Sequence, residues 1–315
     1  MARQVSERRA SIDIGTNSVR LLVGDVHPDG RVCALVRRGI VTRLGEGLEA
    51  TGLIAPGPAE RTLKAIREVV TEAGSTGASR IVMAATSALR SATNGQELAR
   101  RIEQETGLSL RILSGLDEAR LVYRSLQYGR TGSERVIAMD VGGGSTEFAA
   151  GYGSEPKALL SLDIGCVRLY ERAASHGGVE SDSGYEFARG ILEEALGGAA
   201  SSWKAEFAGS PIRGVGGTLT AFAMVHLGTR HYDPDALDGT RISREDVQRV
   251  SARIRSMDPV ERRHWVGDGR ADLVAAGAAI LDEAVRFFDA PEVQVSTRGL
   301  RYGLLHEFPP APGAA

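Results

Sequence analysis

Apolar and polar residues alternate in short runs at the start of the chain, give way to helical spacing, and then begin the same succession again past residue 135. The segment Ser11-Ile-Asp-Ile-Gly-Thr-Asn-Ser-Val-Arg-Leu21 lies on Ala138-Met-Asp-Val-Gly-Gly-Gly-Ser-Thr-Glu-Phe148 at an offset of 127. That offset pairs Asp13 with Asp140, Gly15 with Gly142 and Ser18 with Ser145. Each copy predicts an apolar strand ending in an Asp, a Gly-containing turn and a return strand. The product is a hairpin whose turn presents backbone N–H groups beside a carboxylate.

After the first hairpin the pattern predicts a strand over Val32–Val41. A helix over Pro58–Ala73 follows, where Leu63, Ile66, Val69 and Val70 recur at helical spacing. A strand over 80–85, a helix over 95–106, a strand over 109–113 and a helix over 117–128 complete the first half. The second half opens with strands at Val136, Thr146 and Lys157 and becomes more helical, with clear periodicity over Ala271–Phe288. A strand over 292–296 then leads into a helix over 299–308. Three strands followed by alternating helices and strands, twice over, predict an α/β protein of two domains, 1–123 and 124–315. Each is expected to be a mixed five-stranded sheet with flanking helices, and the cleft between them is the natural ligand site. The last helix is free to pack back on the first domain, and 309–315 reads as a disordered tail.

Composition narrows the function classes. The 315 residues carry 38 basic and 40 acidic side chains, a formal net charge of −2, which argues against a globally basic nucleic-acid binder. Only Lys64, Lys157 and Lys204 are lysines, so nearly every cation is a guanidinium, a bias that either a GC-rich genome or a use in bidentate phosphate contacts accounts for. No Gly-x-x-x-x-Gly-Lys-Ser/Thr loop occurs, which excludes a P-loop NTPase, and the six histidines show no metal-binding spacing. Cys33 and Cys166 lie far apart, which argues against a disulfide framework or a zinc site and reads both as small core residues. With no signal-like start and no apolar run of about 18 residues, a cytoplasmic protein without a membrane anchor is expected.

Four segments carry candidate chemistry. In Asp140-Val-Gly-Gly-Gly-Ser-Thr-Glu147 three glycines let backbone N–H groups approach phosphate oxygens, and the flanking acids suit a hydrated Mg²⁺. The alternative is a glycine-rich hairpin with solvated acids. Arg213-Gly-Val-Gly-Gly-Thr-Leu-Thr220 is either an anion-binding turn at a helix N-terminus or plain turn geometry. In Ser114-Gly-Leu-Asp-Glu-Ala-Arg120, Ser114 caps a helix with Asp117 at the third position. Glu118 then falls on the inward stripe, either a buried reactive carboxylate or a second acid favoured by the helix dipole. Arg270, in Gly267-Asp-Gly-Arg-Ala-Asp272, opens the long helix where a cation is disfavoured, so an anion is expected beside it: Asp268, Asp272 or a phosphate. Arg20 is either an inward guanidinium or an edge-strand charge.

Together the duplicated Asp-x-Gly hairpins, the Gly-Gly-Gly-Ser-Thr-Glu turn and the Gly-Val-Gly-Gly-Thr loop resemble the exopolyphosphatase and guanosine pentaphosphate phosphohydrolase family. That family belongs to the actin-like, sugar-kinase and heat-shock ATPase superfamily, whose domains have a ribonuclease H-like fold. The resemblance extends through Ala85-Thr-Ser-Ala-Leu-Arg90, Ser114–Arg120, Gly269–Asp272 and Gly299-Leu-Arg-Tyr-Gly-Leu-Leu305. It implies release of the terminal phosphate of inorganic polyphosphate, of guanosine pentaphosphate, or of both. By matching position Glu118 becomes the water-activating carboxylate, and Asp140 and Glu147, with Asp13, become the acids around Mg²⁺, for which Mn²⁺ can substitute. Gly142, Gly143, Gly144, Ser145, Arg20, Arg270 and Thr218 become the phosphate binders. Long members carry a further helical portion with no counterpart here, so processive action and any dimer formed through that portion stay open, as does a homodimer of another kind. The competing readings are a kinase of the same superfamily and a non-catalytic alarmone or nucleotide sensor.

Overall fold

A computed structural model describes residues 6–130 and 134–307. The chain forms two compact units, one of residues up to Arg130 together with those from Leu300 onward, the other spanning 131–299. The division falls after the expected 123/124 because a single helix runs unbroken through that position. The tail expected at 309–315 lies outside the described residues.

The first unit contains β1 (Glu7–Ile14), β2 (Ser18–Val26), β3 (Val32–Val41), α1 (Leu48–Thr51), α2 (Pro56–Ser75), β4 (Arg80–Ala85), α3 (Ser87–Ser91), α4 (Gly95–Thr106), β5 (Leu110–Ile112) and α5 (Gly115–Gln127). The second contains β6 (Val136–Val141), β7 (Thr146–Gly151), β8 (Pro156–Leu162), α6 (Cys166–Ala173), α7 (Asp182–Ala199), α8 (Ser201–Phe207), β9 (Ile212–Val215), α9 (Gly217–Leu227), α10 (Pro234–Leu237), β10 (Arg241–Ser243), α11 (Arg244–Ser256), α12 (Pro259–Val266), α13 (Val274–Phe287) and β11 (Glu292–Val295). Helix α14 (Leu300–His306) rejoins the first unit.

Both sheets are mixed. The first has the order β3-β2-β1-β4-β5, with β1 antiparallel to β2 and parallel to β4. The second has the order β10-β11-β9-β6-β7-β8 and repeats that arrangement around β6. It also gains a sixth strand that the sequence pattern did not show. Strand β10 has three residues, too few for alternation to register, and pairs antiparallel with β11. Because β2 lies between β1 and β3, Arg20 is not an edge-strand charge.

Alternation along β1 and β2 divides the first sheet's faces. Ala10, Ile12, Ile14, Val19, Leu21 and Val23 join Leu63 and Ile66 of α2 and Leu98 and Ile102 of α4 in one core. Leu22 and Val26 face the other way, against Tyr302 and Leu305 of α14. Helix α14 is fastened there by polar bonds as well, Arg9 Nη1 donating to Leu305 O and Ser11 Oγ to Arg301 O, both at 2.9 Å. In the second unit α9 and α13 are apolar on nearly every side and are accordingly buried. Among the described residues no helix is long and apolar enough to cross a membrane. Cys166 is buried as expected, but Cys33 is exposed, because edge strand β3 turns alternate residues to solvent.

His306 at the end of α14 stacks on Tyr128 with ring centroids 4.1 Å apart. Burial, aided by the charge of Arg9, pushes its pKa down to about 4. The folded protein therefore holds this imidazole neutral, whereas an unfolded chain protonates it near pH 6.5. Stability from this group is complete above about pH 6.5 and is lost as pH falls toward 4, where only the unfolded state gains the proton. Thermal unfolding measured from pH 7 to pH 4 should show a steeper loss in the wild type than in His306→Phe, which keeps the ring stack without the titration. Parallel curves would assign the acid sensitivity to other groups.

Candidate active site

In both units the chemistry gathers at the carboxyl ends of the parallel strands, where open α/β sheets bind ligands. In the second unit the hairpin turn after β6 closes with Gly142 N donating to Ser145 O at 3.0 Å. Asp140 and Glu147 are direct cross-strand partners, so their side chains leave the sheet on the same face. Glu147 is only 1% exposed and accepts a hydrogen bond from Ser161 Oγ at 2.8 Å. The beginning of α6 clamps the turn from behind, with Cys166 N donating to Gly142 O at 3.0 Å and Val167 N to Gly143 O at 2.8 Å. Gly165 makes that approach feasible, since a β-carbon there would lie 2.5 Å from the Gly143 carbonyl.

The second glycine-rich segment lies beside the first because β9 pairs in parallel with β6, Val215 against Asp140. Gly216, at φ 100° and ψ 178°, turns the chain into α9 and touches Asp140, its absent β-carbon position lying 2.9 Å from Oδ1. The guanidinium of Arg270 lies over Gly217, and its Nη1 donates to Thr220 Oγ1 at 3.4 Å. Arg270 stands in the turn before α13, not in the helix itself, which begins at Val274. Of the acids the sequence offered as its partner, Asp268 instead faces Arg263, at 4.0 Å. Thr218 is directed inward, its hydroxyl 3.4 Å from Cys166 Sγ, so the side chain ties α9 to α6 and leaves backbone N–H groups as the anion-facing part of this turn. Burial, with the nearby Asp140 charge, pushes the Cys166 thiol up to about 11, which makes it an inert packing group.

The first unit repeats the scaffold with different side chains. Gly15 N donates to Ser18 O at 3.0 Å, the same bond as in the second turn, and Asp13 stands opposite Arg20 where Asp140 stands opposite Glu147. Arg20 Nε donates to Ser18 Oγ at 3.1 Å. Asp13 is 8% exposed, and among the described residues its Oδ1 has no hydrogen-bond partner. Burial raises its pKa, opposed by the charges of Arg20 and Arg301.

Glu118 is placed by local rules and then enclosed by tertiary contacts. Ser114 Oγ accepts from Asp117 N at 3.1 Å and donates to Asp117 Oδ2 at 2.7 Å, which fixes the start of α5. One residue later Glu118 points inward and is 7% exposed. Arg90 of α3 donates from Nη1 to Glu118 Oε2 at 3.4 Å and to Leu113 O at 2.9 Å. In the sequence Arg90 is only the last residue of the Ala85–Arg90 motif, with nothing to mark a role. Its partners lie on other elements, and no local pattern marks them.

Asp140 and Glu147 present two same-face carboxylates, a donor type and number that fits Mg²⁺ when waters and phosphate oxygens complete its shell. Among the described residues no three acidic, histidine or cysteine side chains come together as a ligand set. Asp13 is accordingly found with Arg20 and Arg301 as its charged neighbours and not in a cluster of acids.

Two α/β units built on one repeated hairpin, each with its polar turns at the carboxyl ends of parallel strands, define an actin-like ATPase-type fold. The model of the Ppx/GppA phosphatase family matches residues 23–310, and the chain belongs to that family. It is 33% identical over 291 residues to exopolyphosphatase 2 of Mycobacterium tuberculosis, a match covering 89% of this chain and 90% of that protein. It is similar to the crystal structure of the Aquifex aeolicus family member, with a TM-score of 0.78 and 29% identity over 95% of this chain and 96% of that one. An exopolyphosphatase structure from Cytophaga hutchinsonii gives a TM-score of 0.83 at 25% identity, covering 95% and 97%.

Proposed function

We propose that this protein is an exopolyphosphatase, hydrolysing the terminal phosphoanhydride of inorganic polyphosphate. The observation that carries the reading is the rigid glycine turn with two same-face acids in the second unit; the first unit, taken by itself, adds a buried carboxylate held by an arginine. Similarity to exopolyphosphatases over about nine-tenths of the chain supports it. In the second unit the backbone N–H groups of 142–145 and Arg270 are the phosphate-holding groups, and in the first unit that group is Arg20. Glu118 orients the attacking water and accepts its proton. Asp140 and Glu147 hold Mg²⁺, which when bound offsets negative charge on the phosphates. A loose phosphoryl transition state asks for little covalent chemistry, so positioning and electrostatics supply most of the acceleration.

Phosphate release measured side by side on short polyphosphate, long polyphosphate and guanosine pentaphosphate tests the reading. Release from polyphosphate without any acceptor is expected. With ATP and a small acceptor supplied, ADP formation that depends on the acceptor would make the protein a kinase, and binding without turnover in the presence of Mg²⁺ would make it a sensor. Faster release from guanosine pentaphosphate than from either polyphosphate would move the activity to that nucleotide. Asp140→Asn should raise the Mg²⁺ concentration for half-maximal rate by roughly tenfold or more, through loss of one charged oxygen ligand. An unchanged Mg²⁺ titration would place the ion elsewhere.

A further inference from the structure

We propose that Arg43 binds an internal phosphate of an extended polyanion, at a subsite remote from the reacting end; the proposal rests on the polyphosphatase reading above. Among the described residues two that are not glycine have positive φ, Arg43 at 52° and Asp289 at 51°. Asp289 is of a residue type that tolerates the left-handed region, and its carboxylate receives Arg244 Nη2 at 2.7 Å. Arginine lacks the short polar side chain that eases this conformation, and adopting it carries a steric cost. Glycine is the residue this backbone favours, and a strained side chain retained beside a candidate site points to a use for that side chain.

The loop that holds Arg43 is fixed to the first hairpin turn. Thr42 N and Arg43 N both donate to Asn17 O at 3.0 Å, and Gly45 N donates to Thr16 O at 2.9 Å. Arg61 fastens the far side, its Nε donating to Thr42 O at 3.0 Å and its Nη2 to Glu46 at 2.8 Å. Thr16 and Asn17 occupy the repeat positions of Gly143 and Gly144, so the loop braces the counterpart of the phosphate turn and presents Arg43 at its rim, exposed.

Strand order sets how far this guanidinium stands from the reacting carboxylate. Along one edge of the first sheet come Arg43 after β3, Arg20 at the start of β2, the Gly15 turn after β1, Arg90 after β4 and Glu118 after β5. Because Arg43 N is bonded to Asn17 O at the start of β2, the loop stands over that turn, and the three strand intervals from β2 to β5, at about 4.8 Å each, come to roughly 14 Å. An extended ligand with anionic groups repeated along it suits a carboxylate and a guanidinium set apart along one sheet edge. The guanidinium then adds charge-assisted hydrogen bonds to non-bridging oxygens without touching the phosphate that reacts.

Steady-state phosphate release by Arg43→Gly, Arg43→Ala and Arg43→Lys, on long-chain polyphosphate and on tripolyphosphate, tests this. For the glycine and alanine variants KM on the long chain should rise roughly tenfold, with kcat unchanged and tripolyphosphate kinetics unaltered. Lysine should restore much of the affinity. Arg43→Gly should melt no lower than the wild type, since glycine relieves the backbone, so a loss of affinity there is not a loss of folding. Unchanged KM on the long chain, equal loss on both substrates, or a lowered melting point accompanying the loss would overturn the assignment. If the wild type releases no phosphate from either substrate, the polyphosphatase reading fails. Filter retention of long-chain polyphosphate by wild type and Arg43→Gly then decides the role of Arg43 separately, with equal retention overturning it.

Discussion

Glu118→Gln is expected to slow phosphate release from polyphosphate by about 10²- to 10⁴-fold, the usual contribution of a positioned general base, while polyphosphate still binds. The substitution keeps the shape of the side chain and an oxygen to accept from Arg90 Nη1, now 3.4 Å from Oε2. It leaves the Ser114–Asp117 cap that starts α5 untouched. Folding and the phosphate-holding groups are therefore preserved, and what disappears is the capacity to take a proton from water. Single-turnover kinetics with equilibrium binding separate these effects. Near wild-type turnover would remove Glu118 from the chemistry, and lost binding with normal turnover of bound substrate would make it a substrate contact.

Gly216→Ala should be nearly as damaging, through the backbone. At φ 100° and ψ 178° this residue lies in a region that is essentially glycine-only, and forcing alanine into it costs about 1–3 kcal/mol. The new methyl group would also meet Asp140 Oδ1 and Val141 O, each 2.9 Å away. Either the turn into α9 or the Asp140 carboxylate must move, so a lower melting temperature and a loss of activity of about 10²-fold are expected together, a loss typical of misplacement by an ångström. Gly190→Ala in α7 is the control, since a β-carbon there meets nothing within 4 Å and alanine favours the helix. Full activity and unchanged melting in Gly216→Ala would show that the turn is not the anchor of this site.

Much of the scaffold was legible because it follows short-range rules. The repeat at offset 127 appears in the structure as the same turn hydrogen bond, Gly15 N to Ser18 O and Gly142 N to Ser145 O, each 3.0 Å. Ser114 caps α5 as its spacing from Asp117 requires, and that cap directs Glu118 inward one residue later. The two acids around the glycine turn proved to be direct cross-strand partners, which follows once the hairpin register is known. Less legible were elements with too few residues to show a period, such as β10, and the end of the first unit, which α5 carries past the expected division.

Family membership and relatives' names bear on activity, but the chain's own pattern and its packing contributed different things to the site. The duplicated hairpins, the glycine turns, the helix cap and the acids at their margins follow from residue order alone, because dihedral preference, strand alternation and capping act within a few residues. Tertiary structure alone decided that Arg90 holds Glu118, that Thr218 turns away to meet Cys166, that Cys33 is exposed, and that Arg43 is held left-handed against Asn17. Those outcomes depend on which strands lie side by side and how closely helices pack upon them. Residues 28 or 52 positions apart become neighbours only after the sheets have formed.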